Sequence, residues 1–320
     1  MEYTNLRGTG LMVSRACLGT MTFGGQLNEQ ESISVIKHAL DSGINFIDTA
    51  DIYTGGQSEI ITGKGLKGCR ESVVLASKVG GRSGQGPNGS GLSRKHIISA
   101  VEQSLKRLDT DYIDIYYMHF PHPTTPLEET MEAMNSLVKS GKVRYIGMSN
   151  FAAWRMMDAL SICDKRGWVG PSVTENVYNI ITRGIETELV PFIQEKKIGL
   201  TIFNPLAGGL LSGKHGERPL ANTRLSEAGY YKRYWNDDSL AAMEQLSEIA
   251  QNYDMSLLEL SLRWCVSYNY VDSVIVGASR LEHLIQNLSY LKKGALSSEV
   301  IAQCDEVWKK LSGSRFGYGR

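Results

Sequence analysis

The sequence predicts an α/β protein whose fold class is a closed (β/α)8 barrel, also called a TIM barrel. Short apolar runs alternate along the 320 residues with longer segments in which apolar residues recur at a helical spacing. The runs are apolar on both faces, as parallel strands are when helices cover them. About eight such units in a chain of this length favour a closed barrel over an open doubly wound sheet.

Eight runs are candidate strands, and the first and the sixth are the weakest. In chain order they are SRACLG (14–19), INFIDTA (44–50), SVVLASK (72–78), YIDIYYMH (112–119), VRYIGMSN (143–150), SVTENVY (172–178), IGLTIFN (198–204) and DSVIVGAS (272–279). Helical spacing lies between them, for example in ESISVIKHALDSG and SRKHIISAVEQSLKRL. Ser93 stands where a helix should begin, and Gly43, Gly141 and Gly199 follow helical stretches as C-terminal caps do.

Residues 213–238 interrupt this alternation and predict a long loop after the seventh strand. The stretch contains four large aromatic residues, Tyr230, Tyr231, Tyr234 and Trp235. Long loops in compact domains are usually functional or disordered, and aromatic residues argue against disorder. Because no second domain, repeat or low-complexity segment is evident, we predict one domain over residues 1–320.

Composition and charge exclude several classes of function. Lys+Arg and Asp+Glu number 34 each, so the net charge of zero provides no overall field for nucleic acid or an anionic membrane. No apolar run approaches the roughly 20 residues that span a bilayer, and the N-terminus lacks a secretory pattern. The five cysteines are scattered without a CxxC pair, and the six histidines show no ligand spacing. We expect a cytoplasmic protein with no metal.

Polar residues end successive apolar runs, at the edge where a parallel barrel builds its active site. The second run reaches Asp48, with Tyr53 shortly after it, the third ends in Lys78 and the fourth in His119. Each residue alone has a structural explanation, such as a turn cap, a rim aromatic or a solvated lysine. Their coincidence at adjacent strand ends favours a catalytic site.

Seven blocks in register resemble the aldo-keto reductase family, from Leu6 to Leu291. They are LGTMTFGG (18–25), FIDTADIYTGGQSE (46–59), LASKVG (75–80), YYMHFPHPTTPLEET (116–130), VRYIGMSN (143–150), FNPLAGGLLSGK (203–214) and VIVGASRLEHLIQNL (274–288). The resemblance implies an oxidoreductase that transfers a hydride between NADP(H) and a carbonyl/alcohol pair, as in an aldehyde reductase.

The family's catalytic tetrad falls on Asp48, Tyr53, Lys78 and His119. The resemblance implies that Tyr53 protonates the reduced carbonyl as general acid. The Lys78 ammonium would lower the pKa of the phenol, and Asp48 would hold Lys78 in place. A neutral His119 would donate to the carbonyl oxygen and orient it.

The resemblance also implies a set of residues that contact NADPH or NADP+. These are Gly19, Thr20, Met21, Asp48, Ser149, Asn150, Glu175, Phe203, Asn204, Pro205, Leu206, Gly208, Lys214, Gly277, Ser279, Arg280, His283, Gln286 and Asn287. Ser149 and Asn150 would bind the carboxamide, and Phe203 would stack on the nicotinamide ring. Arg280 and Ser279 could hold a 2′-phosphate, which favours NADPH over NADH. A GxGxxG sequence after the first strand is lacking, which argues against a Rossmann domain.

Glu175 departs from the family pattern, which usually has Gln at this position. An ionised Glu can accept from the carboxamide NH₂ but cannot donate to its oxygen. One hypothesis is that its negative charge favours the oxidised cofactor, which Glu175→Gln would test. The alternative is that Glu175 is protonated or paired with another group.

The predicted substrate is a small carbonyl compound, in a pocket formed by Phe23, Tyr53, Phe120, Tyr231 and Trp235. Such a lining suits an aromatic or medium-sized aldehyde, and a sugar could also stack on it. A second hypothesis is a cofactor-sensing regulatory subunit with slow turnover, resembling the β-subunits of potassium channels. A third is a Schiff-base lysine at Lys78. No nucleic-acid or membrane partner is expected, and the protein would be a monomer or homo-oligomer.

Overall fold

A computed structural model describes residues 1–215, 218–221 and 223–313 of the chain. The chain divides into two compact units. The first comprises Met1–Asn176, Ile185–Phe203 and Tyr270–Gln286, and the second comprises Val177–Gly184, Asn204–Asn269 and the chain from Asn287 onward. A single domain over residues 1–320 stays a prediction.

The first unit contains the barrel, preceded by a two-stranded antiparallel hairpin of β1 (Tyr3–Asn5) and β2 (Met12–Ser14) that the sequence analysis did not predict. The barrel strands are β3 (Ala16–Gly19), β4 (Phe46–Asp48), β5 (Val74–Val79), β6 (Ile113–Met118), β7 (Val143–Ser149), β8 (Val173–Val177), β9 (Gly199–Phe203) and β10 (Ser273–Gly277). They run parallel in chain order, and β10 pairs with β3 to close the barrel. Each predicted run overlaps one of these strands, so the predicted fold class is confirmed.

Helices follow the strands as the spacing of apolar residues predicts. They are α1 (Glu29–Asp41), α2 (Gln57–Gly65), α3 (Arg94–Leu108), α4 (Leu127–Lys139), α5 (Ala153–Arg166), α6 (Leu189–Lys196), α7 (Ala228–Tyr234), α8 (Asp237–Asn252), α9 (Leu257–Val266), α10 (Leu281–Leu291) and α11 (Ser298–Ser312). Ser93 caps α3 by accepting from the His96 amide. Gly199 is not a helix cap, because it begins β9 and Lys197 takes the left-handed position after α6.

The predicted catalytic positions on the barrel strands follow residues whose side chains face the interior of the barrel. Phe46, Ala76 and Tyr117 belong to the buried core cluster. Since side chains alternate along a strand, Asp48 and Lys78 point to the same interior two residues further on. Gly147 leaves room for the Tyr117 ring, because a Cβ there would lie 2.2 Å from Tyr117 Cδ1.

The second unit contains the segment predicted as a long loop over residues 213–238. Within its described residues a 3-10 turn (Arg224–Ser226) precedes α7, so the segment is more helical than predicted. Tyr234 is buried, and its hydroxyl accepts from Asn204 Nδ2 at 2.7 Å. Across the part of the chain that the structure describes, no helix combines the length and the apolar character needed to cross a membrane.

Candidate active site

Lys78 lies at the centre of the candidate site, with its side chain fully buried inside the barrel. Its ammonium donates to Asp48 Oδ1 on the neighbouring strand β4 and to the Thr49 carbonyl at 3.1 Å. Glu175 Oε2 on β8 lies 3.4 Å from the same nitrogen. The sequence analysis paired Lys78 with Asp48, whereas in the structure Lys78 contacts two carboxyl groups.

Tyr53 and His119 lie beside this ion cluster. Tyr53 begins a 3-10 turn just after β4, and its ring centroid is 5.3 Å from Lys78 Nζ. The His119 ring approaches Tyr53 edge-on, with centroids 5.9 Å apart and planes at 79°. Both side chains are partly buried. The four residues of the predicted tetrad are therefore close together at one end of the barrel.

The protonation states favour a phenol and a neutral imidazole. Burial raises the pKa of Tyr53 above its ordinary value; Lys78 opposes this shift, and Asp48 and Glu175 add to it. The sequence analysis expected Lys78 to lower this pKa, but the net shift is upward because burial outweighs the ammonium. Burial, followed by the nearby Lys78, lowers the pKa of His119 to about 3. His119 is therefore neutral near pH 7.

The carboxyl groups of Asp48 and Glu175 bind protons more tightly than usual. Burial raises the pKa of both groups, and that of Glu175 reaches about 8 because the neighbouring Asp48 adds to the effect. Burial alone would lower the pKa of Lys78, but the two carboxyl groups raise it well above its ordinary value. Lys78 is therefore charged, and the two carboxyl groups retain protons to a higher pH than exposed carboxyl groups do.

Residues predicted to hold the nicotinamide end of the cofactor lie next to this cluster. Ser149 is buried and pairs in register with Glu175. Asn150 adopts a left-handed conformation (φ 61°), and its Nδ2 donates to the His119 carbonyl at 3.2 Å and to Ser149 Oγ at 3.0 Å. Phe203 ends β9 and is partly buried. The amide of Asn150 and the hydroxyl of Ser149 fit the hydrogen-bonding groups of a nicotinamide carboxamide.

Gly19, Thr20 and Met21 follow the end of β3. Gly19 pairs in register with Asp48, and a Cβ there would lie 2.6 Å from the Ile275 side chain. Thr20 Oγ1 donates to the Asp48 carbonyl at 3.1 Å. Met21 is exposed. These backbone and hydroxyl contacts fix the strand end that carries Asp48.

The end of β10 and the start of α10 carry the residues predicted for the adenosine end. Gly277 is exposed, and no described atom lies within 4 Å of the position that a Cβ would take. Ser279 Oγ is 3.2 Å from His283 Nδ1, and the exposed Arg280 immediately precedes α10. Gln286 is exposed further along the helix. A helix N-terminus beside an exposed guanidinium fits a phosphate group.

The remaining residues of the cofactor prediction belong to the second unit. They are Asn204, Pro205, Leu206, Gly208, Lys214 and Asn287. The Gly208 amide donates to Asn204 Oδ1 at 2.6 Å, and the left-handed Gly208 (φ 70°) packs near Tyr230. Lys214 is exposed, and Asn287 is buried.

The predicted pocket residues are divided between the two units. In the first unit, Phe120 packs against His119 with ring centroids 5.3 Å apart, and Phe23 is fully buried. In the second unit, Tyr231 and Trp235 stack at an angle of 18°, and Tyr231 is 46% exposed. An apolar ring beside the imidazole suits an apolar carbonyl substrate.

A second buried cluster on the outer face of β5 was missed by the sequence analysis. Glu59 on α2 accepts from Ser77 Oγ at 2.5 Å and from Arg107 Nε at 2.7 Å. Nearby, burial raises the pKa of Asp51 to about 7. Ser77 could have been assigned to this face from sequence, because it precedes the inward-facing Lys78.

Comparison with known proteins agrees with this geometry. The profile described as "Aldo/keto reductase family" matches residues 15–309, and the chain belongs to that family. A rice (Oryza sativa subsp. japonica) protein named as a probable voltage-gated potassium channel subunit beta is 38% identical over 316 residues, covering 96% of both chains. An Arabidopsis thaliana protein of the same name is 38% identical over 296 residues, with 90% of each chain covered. An uncharacterized oxidoreductase, YrpG, of Bacillus subtilis is 35% identical over 321 residues, with 96% of each covered.

Proposed function

We propose that the protein is an NADPH-dependent carbonyl reductase that converts aldehydes or ketones to alcohols, with Tyr53 as the general acid. The observation that carries this proposal is the proximity of the Tyr53 ring to both Lys78 and His119. Lys78 Nζ lies 5.3 Å from the Tyr53 ring centroid, and the His119 ring centroid lies 5.9 Å away. Burial keeps the phenol protonated, which suits donation of a proton in the reductive direction.

Each side chain has a role in proton delivery. The neutral His119 donates to the substrate oxygen and orients the carbonyl group, as an oxyanion-binding residue does. Tyr53 then gives its proton to that oxygen as the C=O π bond breaks, and the Lys78 ammonium stabilises the phenolate that remains. Asp48 holds Lys78 in position through their ion pair.

Reduced nicotinamide, when bound, supplies the hydride that the carbonyl carbon accepts. Ser149 and Asn150 would hold its carboxamide, and Phe203 would lie against its ring. Arg280 and Ser279, before α10, would bind the 2′-phosphate that NADPH has and NADH lacks, which is the reason for preferring NADPH. Composition supports a cytoplasmic location, and the Phe120 ring beside His119 supports an aldehyde substrate.

The experiment is a titration with NADPH and then NADH, followed by intrinsic protein fluorescence, together with turnover on aromatic and aliphatic aldehydes. We expect tighter binding of NADPH and aldehyde-dependent oxidation of the cofactor. Tyr53→Phe should lower kcat/KM by about 10² to 10⁴ while NADPH still binds, because it removes one hydroxyl group. Failure of both cofactors to bind would refute the proposal.

A second candidate function is a nicotinamide-sensing regulatory subunit with slow turnover. The observation that favours it is the name of the plant relatives, which are described as probable potassium channel β-subunits. The same titration separates the two functions. Tight NADPH binding with almost no turnover on any aldehyde would favour the regulatory function, whereas turnover that depends on Tyr53 would favour the reductase.

A further inference from the structure

Glu175 is the second carboxyl group beside the Lys78 ammonium, which can neutralise only one of the two. Glu175 Oε2 lies 3.4 Å from Lys78 Nζ, and the same nitrogen donates to Asp48 Oδ1. All three side chains are at most 4% exposed. If both carboxyl groups were ionised, the buried cluster would carry a net negative charge, which is costly away from water.

The hydrogen bonding of this cluster is incomplete at one oxygen atom of each carboxyl group. Asp48 Oδ2 and Glu175 Oε2 are buried and make no hydrogen bond to the described residues, although Oε2 lies 3.4 Å from Lys78 Nζ. Both carboxyl groups contact the same Lys78 nitrogen, so they lie near each other, and a hydrogen bond between them contributes to both pKa shifts. Two carboxylates can form such a bond only if one of them is protonated. One proton held between them would supply the missing donor and make the cluster neutral.

The other titratable groups around Glu175 keep their protons at mildly alkaline pH. Burial raises the pKa of the Cys17 thiol and of the Tyr117 and Tyr53 phenols well above neutrality. The titratable groups that interact electrostatically with Glu175 come from four neighbouring segments of the barrel: Cys17 from β3, Asp48 and Tyr53 from β4 and the turn after it, Lys78 from β5, and Tyr117 from β6. The uncharged Ser149 on β7 pairs with Glu175 in register. As pH rises from neutrality, the carboxyl proton therefore leaves first.

We propose that Glu175 and Asp48 share one proton beside Lys78, and that loss of this proton at alkaline pH strengthens binding of oxidised relative to reduced nicotinamide. The inference rests on the cofactor binding proposed above. Hydride transfer requires the ring to approach the carbonyl that Tyr53 protonates, which brings it near the cluster. The oxidised ring is positively charged and the reduced ring is neutral, so an added negative charge favours the oxidised form.

The test measures the dissociation constants of NADP+ and NADPH on the wild-type protein from about pH 6.5 to about pH 9.5. The ratio of the two constants removes effects of the phosphate and adenine groups, which both forms share. We expect the ratio Kd(NADP+)/Kd(NADPH) to fall by about tenfold over this range. A ratio that stays constant in the wild-type protein would overturn the inference even though both cofactors bind.

Variants assign the effect to the carboxyl group. Glu175→Gln should flatten the pH dependence of the ratio, and Glu175→Asp, which retains a carboxyl group, should restore part of it. Glu132→Gln is the matched control, because it removes an exposed carboxylate that pairs with Arg94 on the protein surface; the pH dependence should be unchanged. A Glu175→Gln protein with the wild-type pH dependence would contradict the assignment. Failure of the wild-type protein to bind either cofactor would instead refute the proposed function.

Discussion

Two buried ion clusters lie on opposite faces of β5, and they differ in how completely their polar atoms are paired. On the outer face, Ser77 and Arg107 donate to the two carboxylate oxygens of Glu59, which is fully buried. On the inner face, Lys78 contacts both Asp48 and Glu175, and one oxygen of each carboxyl group makes no hydrogen bond to the described residues.

The difference indicates different roles for neighbouring residues of one strand. Each carboxylate oxygen of Glu59 already accepts a hydrogen bond, so its hydrogen bonding is satisfied. The outer cluster therefore has a structural role, in which it links α2 and α3 to β5. A buried cluster with more carboxyl groups than cations has a net negative charge unless one carboxyl group binds a proton, and this proton can be lost when the pH rises. The inner cluster is therefore suited to chemistry that moves protons, and the variants below test this distinction.

The largest effect is expected when the inner cation is removed. Lys78→Met keeps an unbranched side chain but leaves the Tyr53 phenolate without its stabilising charge. We expect kcat/KM for carbonyl reduction to fall by about 10² to 10⁴. NADPH binding, measured by fluorescence, should persist. Wild-type turnover in this variant would mean that Lys78 is a structural residue.

Removal of the outer cation should instead lower stability. Arg107→Met leaves Glu59 buried with an unpaired charge, and we expect a loss of about 3–5 kcal/mol in the free energy of unfolding. Urea denaturation measures this loss, and activity per folded molecule should be unchanged. Glu59→Gln in the same protein should recover part of the stability. A large loss of activity with normal stability would contradict the structural role.

Asp51 should make stability depend on pH. Burial raises its pKa from 3.8 to about 7, so the folded protein binds this proton more tightly than the unfolded chain. Its contribution to stability is therefore lost as pH rises between these values. Asp51→Asn should be more stable than the wild-type protein at about pH 8, by up to about 4 kcal/mol, and nearly equal at about pH 4.

Urea denaturation of both proteins at the two pH values measures this difference. Asp158→Asn, which changes an exposed residue of α5, provides the control. An equal difference between Asp51→Asn and wild type at both pH values would show that folding does not raise the pKa of Asp51.

Sequence patterns were sufficient for the barrel because strands buried on both faces and capped helices leave strong local signals. The candidate catalytic positions could be chosen from sequence because they lie at or just after the ends of strands, as Asp48 and Lys78 do. The contact between Glu175 and Lys78 could not be predicted, since it depends on the distance between β8 and β5 across the barrel. The net upward shift in the pKa of Tyr53 also depends on burial, which a loop sequence does not reveal.

The smallest expected effect concerns the reverse reaction, in which Tyr53 must accept a proton from an alcohol. Ionised Glu175 competes with the phenolate for the charge of Lys78 and so raises the pKa of Tyr53. Glu175→Gln removes this competition. The rise of kcat/KM for alcohol oxidation with pH should therefore move to lower pH, by about one unit. A structural role of Glu175 would lower activity equally at every pH, so an unshifted curve would show that Glu175 has no electrostatic effect on Tyr53.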